Sequence, residues 1–137
     1  MKVQQQCIDE FPMIKRGVNT GVFAIENEQV DVYDVHERNS ESWESFVSSL
    51  PDDKCCHVFT HFPYVAESDN VARDKFIHIL WAPYAASKKD KMQLSFFARN
   101  VLISLGAEGA SRIEAGSKSS LEYGDIREKV VRNITVK

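Results

Sequence analysis

The stretch from Arg73 to Leu105 constrains the fold of this chain more than any other. It opens with Phe76 to Trp81, a run of apolar, β-branched and aromatic residues that is too short for an ordinary buried helix. Pro83 follows, and proline cannot donate a hydrogen bond to a neighbouring strand. The run therefore predicts a β-strand that is covered on both faces.

A helix is predicted directly after this strand. Ser87 to Asp90 has the Ser-x-x-acid form of a capping box, with Asp in place of the usual Glu or Gln. Helical spacing continues from Lys88 to Leu105, and Gly106 is a suitable C-terminal stop. The strand and the helix together form a β–α unit at the centre of the chain.

This helix is apolar on two opposite sides. At about 100° per residue, one arc must be the buried one; it contains Leu94, Phe97, Ala98, Val101 and Leu105. A second stripe about 180° away contains Met92, Phe96, Arg99 and Ile103. Because a helix on a sheet buries only one side, the second stripe is either covered by another element or available to a partner.

The rest of the chain alternates between helical and strand-like patterns. They predict a helix over 4–15, hairpin strands over 21–25 and 29–35, a helix over 42–50, a strand over 55–62, a loop over 63–71, a strand over 111–115, a turn over 116–120 and a closing helix over 121–132. Pro12 is expected to limit the first helix to its first turns. The predicted fold is one α/β domain over 1–137, a mixed sheet sandwiched by helices.

Charge and hydropathy restrict the partners and the location. The formal net charge of −3 argues against nucleic acid as the main partner. No apolar run approaches the roughly 18–20 residues of a membrane span, and the N-terminus lacks a signal-peptide core. We therefore expect a cytoplasmic monomer without a membrane span.

Cys55, Cys56, His57 and His61 raise the question of a metal site. On one strand the two histidines share a face but stand about 13 Å apart, whereas zinc needs its ligand atoms within about 4 Å of one another. The adjacent cysteines point to opposite faces. We expect core or semi-buried strand residues, reduced thiols, and no metal, cofactor or catalytic residue.

Lys88, Lys89 and Lys91 lie in the first turn of the central helix, where the helix dipole disfavours cations. Any one of them is most simply a solvated residue of a helix start. Three of them beside Met92 favour a surface that binds an acidic protein.

The motif Trp81-x-Pro83, followed by Lys89-x-Lys91-Met92 at the start of a long helix, resembles the centre of the ADF/cofilin (actin-depolymerising factor homology) domain. The family shows Trp-x-Pro-Asp, a loop, basic-x-Lys-Met and then Tyr-Ala-Ser-Ser-Lys. The resemblance is a diverged one: Tyr84 replaces the Asp, and residues 94–98 replace the last motif. Further matches are the segments 7–15, 50–55, 112–115 and 121–126.

The resemblance implies a protein that binds actin monomers and filaments and promotes filament disassembly, without a cofactor or catalysis. Together with the exposed stripe, it implies a monomer- and filament-binding surface of Lys89, Lys91, Met92, Phe96, Arg99 and Ile103. It also implies a filament-specific surface of Arg73, Lys75, Glu128, Lys129 and Arg132.

One alternative function within this fold stays open at this point. A regulatory module similar to glia maturation factor or coactosin would act on branched or filamentous actin without depolymerising it. Leu102 and Ile103 also replace two basic residues of the family's long helix, so inositol phospholipids are expected to bind only weakly.

Overall fold

The computed structural model describes the backbone of residues 1–135 and the side chains of residues 1–131. Six strands form one mixed sheet in the order β1-β3-β2-β4-β5-β6. They are β1 (Lys2–Val3), β2 (Asn19–Glu26), β3 (Gln29–Glu37), β4 (Cys56–Val65), β5 (Ala72–Trp81) and β6 (Ser111–Ala115). β1 pairs with β3, and β5 with β6, in parallel, and the other pairs are antiparallel.

Helices cover both faces of this sheet. They are α1 (Gln5–Lys15), α2 (Trp43–Ser48), α3 (Lys88–Phe96), α4 (Ala98–Leu105) and α5 (Tyr123–Thr135), with a 3-10 helix at Lys118–Leu121. Apolar residues of α1, α3 and α4 pack on one face, and those of α2 and α5 pack on the other. The predicted architecture, a mixed sheet between helices, is confirmed.

β5 is covered on both faces, as its sequence predicts. Ile77, Ile79 and Trp81 belong to the core under α2 and α5, whereas Leu80 belongs to the core under α3 and α4. The indole Nε1 of Trp81 donates to the carbonyl of Pro51 at 2.7 Å, so this buried ring has its hydrogen-bond partner.

The hairpin of β4 and β5 is longer than predicted. The expected loop over 63–71 is reduced to residues 66–71, because β4 continues through Pro63, which pairs with Asp74. β2 pairs with β4 only over the positions 56–59. Pro63 therefore lies where β4 has one open side, and a missing N–H is tolerated there.

The central helix is bent, so the prediction of one continuous helix over 88–105 is wrong. Phe97 has φ −99° and ψ 10° and separates α3 from α4. Its N–H still donates to the Gln93 carbonyl, and its own carbonyl accepts from the Val101 N–H, both at 3.0 Å. The break is thus a bend in a hydrogen-bonded helix, and neither Pro nor Gly marks it in the sequence.

Pro12 does not shorten α1, contrary to expectation. The helix continues to Lys15, and the Pro12 carbonyl accepts from the Arg16 N–H at 3.1 Å. Pro12 is exposed, while Phe11 and Ile14 are buried against the sheet. Packing of that apolar face offsets the missing hydrogen bond.

Other boundaries follow local chemistry. Ser42 caps α2, and Ser87 caps α3 as predicted. Gly106 ends α4 with φ 74°, a left-handed conformation that glycine adopts without strain. The 3-10 helix replaces the predicted turn, so α5 begins at Tyr123 rather than Leu121. The two-residue strand β1 was not predicted, because it is too short to show a period.

Candidate functional site

The start of α3 presents the predicted cationic cluster to solvent. The Ser87 hydroxyl accepts from the Asp90 N–H at 3.1 Å, which satisfies one free donor of the first turn. Asp90 in this turn also offsets part of the unfavourable interaction between the lysines and the helix dipole. Lys88 and Lys89 are exposed, and Lys91 is half-buried.

Lys89 has an internal partner that the sequence does not reveal. Its Nζ lies 2.7 Å from the Glu28 Oε1, and both side chains are more than half exposed. The hydrogen bond and the charge of Lys89 lower the pKa of Glu28, and the same contact raises the pKa of Lys89. Glu28 lies in the turn between β2 and β3, about sixty positions earlier in the chain, so no local pattern could have indicated it.

Lys91 is held by Tyr84. Its Nζ donates to the Tyr84 carbonyl at 3.1 Å and lies 5.6 Å from the centre of the Tyr84 ring. Tyr84 is 94% exposed. It was not among the predicted site residues. Tyr84 replaces an Asp of the family motif, and this replacement was a signal that could have identified it.

The second stripe of the central helix faces solvent across the bend. Phe96, Met92 and Ile103 are 80%, 72% and 51% exposed, and Arg99 is also exposed. The opposite side is buried through Leu94, Ala98, Val101 and Leu105, while Phe97 is only half-buried. The helical phase is therefore confirmed, and the alternatives of a fully buried helix or a stripe covered by another element are wrong.

The predicted filament-specific residues lie on β5 and α5, and α5 is hydrogen-bonded to β4, the other strand of the β4–β5 hairpin. Arg73, exposed at the start of β5, forms an ion pair with Asp69, and Lys75 on the same strand is half-buried. Arg127 and Tyr123 of α5 donate to the Val65 and Pro63 carbonyls at 3.2 and 2.8 Å, and thus bind α5 to the β4–β5 hairpin.

Arg73 and Tyr123 line the same shallow depression at this end of the hairpin. Glu128 and Lys129 are exposed further along α5. The side chain of Arg132 lies outside the described residues. The structure thus brings Arg73 to the beginning of α5.

Arg73 and the start of α3 lie towards opposite ends of β5. Arg73 is near the beginning of the strand, and α3 follows its last residue, Trp81. Eight residues of extended chain separate Arg73 from Trp81, which corresponds to about 26 Å. The helical surface extends back from that end, because Val101 and Leu105 of α4 pack in the same core cluster as Phe76.

His57, His78 and the cysteines lie in the core, whereas His61 is half-buried and its Nε2 lies 2.9 Å from the Lys15 carbonyl oxygen. His57 Nδ1 and His78 Nε2 are 2.8 Å apart, and both residues are fully buried, which lowers the pKa of each. All three cysteines are free and buried. Burial raises the pKa of Cys7 to about 12 and of Cys55 to about 11, and it also raises the pKa of Cys56. These thiols are therefore protonated at neutral pH.

The described residues contain neither a metal-binding group nor a membrane-spanning helix. No group of three or more His, Cys, Asp or Glu in that part of the chain is arranged to hold a metal ion. Within the same residues, no helix is both long and apolar enough to span a membrane.

An exposed cationic and apolar helix on a rigid sheet is typical of small protein-binding α/β domains. Comparison with known proteins identifies the family within this class. Residues 1–131 match the model of the cofilin/tropomyosin-type actin-binding proteins. The chain therefore belongs to the ADF/cofilin family, a family of actin-binding proteins.

Individual relatives agree with this assignment. The chain is 25% identical to a cofilin of Mycosarcoma maydis, with 97% of this chain and 96% of the relative covered. It is 34% identical to actin-depolymerizing factor 2 of Arabidopsis thaliana, with 67% of each chain covered. Among solved structures, human coactosin-like protein shares the fold with a TM-score of 0.77, at 15% identity and with 96% and 98% of the chains covered.

Proposed function

We propose that this protein binds actin monomers and filaments in the cytoplasm and promotes filament disassembly. The observation that carries the proposal is the solvent-exposed side of α3 and α4. It combines a cationic helix start with an apolar stripe, which suits an acidic partner that has an apolar cleft. The residues proposed for this surface are Lys89, Lys91, Met92, Phe96, Arg99 and Ile103.

The apolar stripe supplies most of the binding free energy in this proposal. Large apolar side chains seldom stand this far into solvent unless they meet a partner. At about 25 cal/mol per Å² of buried apolar surface, Phe96 and Ile103 would each contribute about 1–2 kcal/mol to binding. The lysines would contribute mainly to the rate of association and to orientation.

The second surface supports binding to filaments in addition to monomers. Arg73 and Lys75, with Glu128, Lys129 and Arg132 of α5, are proposed to contact a neighbouring subunit. Two surfaces held on one sheet would bridge two subunits in a single relative orientation. A protein that fits one filament conformation better than another shifts the filament towards it, limited by the difference in affinity. Disassembly follows when the favoured conformation has weaker contacts between subunits.

A non-depolymerising regulator is the alternative, because human coactosin-like protein has the same fold. Co-sedimentation with filamentous actin separates the two possibilities when both the bound protein and the unsedimented actin are measured. We expect the protein in the pellet and a dose-dependent rise of actin in the supernatant. Binding without that rise would support the alternative, and no binding at all would contradict both.

A further inference from the structure

The turn between β2 and β3 brings a carboxylate to the proposed actin-binding surface. Asn27 and Glu28 both have positive φ, 52° and 61°, as the two central residues of a tight hairpin turn. This turn ends the hairpin beside α3, where the Glu28 carboxylate contacts the Lys89 ammonium at 2.7 Å.

Gln93 completes this contact one helical turn after Lys89. Its side chain contributes to the lowered pKa of the Glu28 carboxyl, although less than Lys89 does. Lys89 and Gln93 stand at positions i and i+4, which are neighbours on one helical face, so both face the Glu28 carboxylate. Lys91 differs, because its partner within the chain is the uncharged carbonyl of Tyr84.

We propose that Glu28 is a specificity-determining residue of the α3 surface. It forms the ion pair with the Lys89 ammonium that a carboxylate of the partner would otherwise form. This inference rests on the proposed function. An acidic partner must exchange its own carboxylate for Glu28, so only a partner that also fits the apolar stripe binds well. Glu28 therefore reduces binding to acidic surfaces that lack a matching cleft.

The size of the effect follows from the exposure of the pair. Ion pairs on the surface are weak, so freeing Lys89 should tighten binding by about two- to fivefold. Salt screens exposed charges, with a Debye length of about 10 Å at 0.1 M. The gain should therefore be largest at low ionic strength and shrink as salt is added.

The test compares Glu28→Gln with Glu26→Gln in binding to monomeric actin. Glu26 lies in the same hairpin and pairs with Lys54 at 3.0 Å, so both variants lose one negative charge but only one of them frees Lys89. We expect tighter binding for Glu28→Gln alone, with no gain from that substitution in a Lys89→Ala background. Equal affinities of the two variants, or weaker binding by Glu28→Gln, would overturn the inference.

A second readout separates this inference from the proposed function. An NMR titration of the Glu28 carboxyl without actin should give a lowered pKa, which rises towards its ordinary value in Lys89→Ala. An unshifted value in the wild type would overturn the role of Glu28 and leave actin binding intact. Absence of actin binding by the wild type, in contrast, would overturn the proposed function and the inference with it.

Discussion

Phe96 shows how the environment of one side chain separates a binding surface from a core. It lies on the same helix as Leu94, two positions away, yet Phe96 is 80% exposed and Leu94 is 1% exposed. Its ring has an edge contact with Phe97 at 4.8 Å between ring centres. The folded chain thus gains little from Phe96, which leaves most of its surface for a partner.

Phe96→Ser should weaken the binding of monomeric actin by about 1–2 kcal/mol because it removes apolar contact area. The melting temperature should move little, because surface substitutions rarely change stability much. Isothermal titration and thermal unfolding measure the two effects. Leu94→Ala is the matched control, with an expected stability loss of about 2–5 kcal/mol. A similar loss in Phe96→Ser would mean that Phe96 is core.

Residue-level exposure was predictable only where it follows from local periodicity. Met92, Phe96 and Ile103 share a helical face, so spacing alone predicted that they point away from the buried arc. Spacing could not predict whether another element covers them, and the structure shows that they are exposed. The contact between Glu28 and Lys89 depends on how a hairpin lies against a helix, and no local pattern records that. Tyr84 is exposed in a turn, where spacing carries no information.

At the scale of elements, α3 depends on its first turn. The Ser87 hydroxyl caps the Asp90 N–H, while three lysines nearby oppose the helix dipole. Ser87→Ala should lower the free energy of unfolding by about 1 kcal/mol, as measured by urea denaturation. Ser95→Ala, an exposed substitution inside the same helix, is the control and should have no such cost. Equal effects of the two substitutions would mean that the cap does not stabilise α3.

Arg73 and Lys75 belong to a different element from the monomer-binding residues, so their effects should be separable. Arg73→Ala with Lys75→Ala should reduce co-sedimentation with filaments and spare binding to monomeric actin. The reason is that Arg73 and Lys75 lie near the beginning of β5, whereas α3 starts beyond its last residue, Trp81. Equal loss of both activities would show that one surface serves both forms of actin.

The types of the elements were predictable, but some of their limits were not. Strand β5 and helices α3 and α4 have strong apolar periods and clear end signals in Ser87 and Gly106. The bend at Phe97 has no such signal, and β4 passes through Pro63 because β2 leaves that part of the strand unpaired on one side. Tertiary context determined both features.

At the scale of the whole molecule, the pair of His57 and His78 makes stability depend on pH. Burial lowers the pKa of both rings, and each has a ring nitrogen without a hydrogen-bond partner among the described residues. In the unfolded chain both rings bind protons below a pKa of about 6.5. The unfolded state then holds more protons than the folded state, so acid favours unfolding.

The free energy of unfolding should therefore be highest above pH 6.5 and fall as the pH decreases below that value. The pair should contribute a slope of at most about 2.7 kcal/mol per pH unit, about 1.4 from each ring. Urea denaturation between pH 7.5 and pH 5 measures this slope. In His78→Phe, which keeps an aromatic ring beside Phe59, it should be about halved. An unchanged slope would mean that the pair does not titrate on unfolding.

The fold and the family could be inferred from sequence because motifs such as Trp81-x-Pro83 and Lys91-Met92 lie where the core meets the proposed surface. The relative placement of the two proposed surfaces could not be inferred in the same way. It depends on the complete β4–β5 hairpin and on the contacts of Arg127 and Tyr123 with that hairpin.

The proposal that α3 carries the actin-binding site is tested most sharply by the affinity of Lys89→Ala with Lys91→Ala for monomeric actin. The control is Lys2→Ala with Arg16→Ala, which removes the same charge from exposed side chains in β1 and directly after α1. We expect clearly weaker binding in the first variant at low and physiological salt, wild-type binding in the control, and unchanged folding in both. Wild-type affinity in Lys89→Ala with Lys91→Ala would instead remove the proposed actin-binding site from α3.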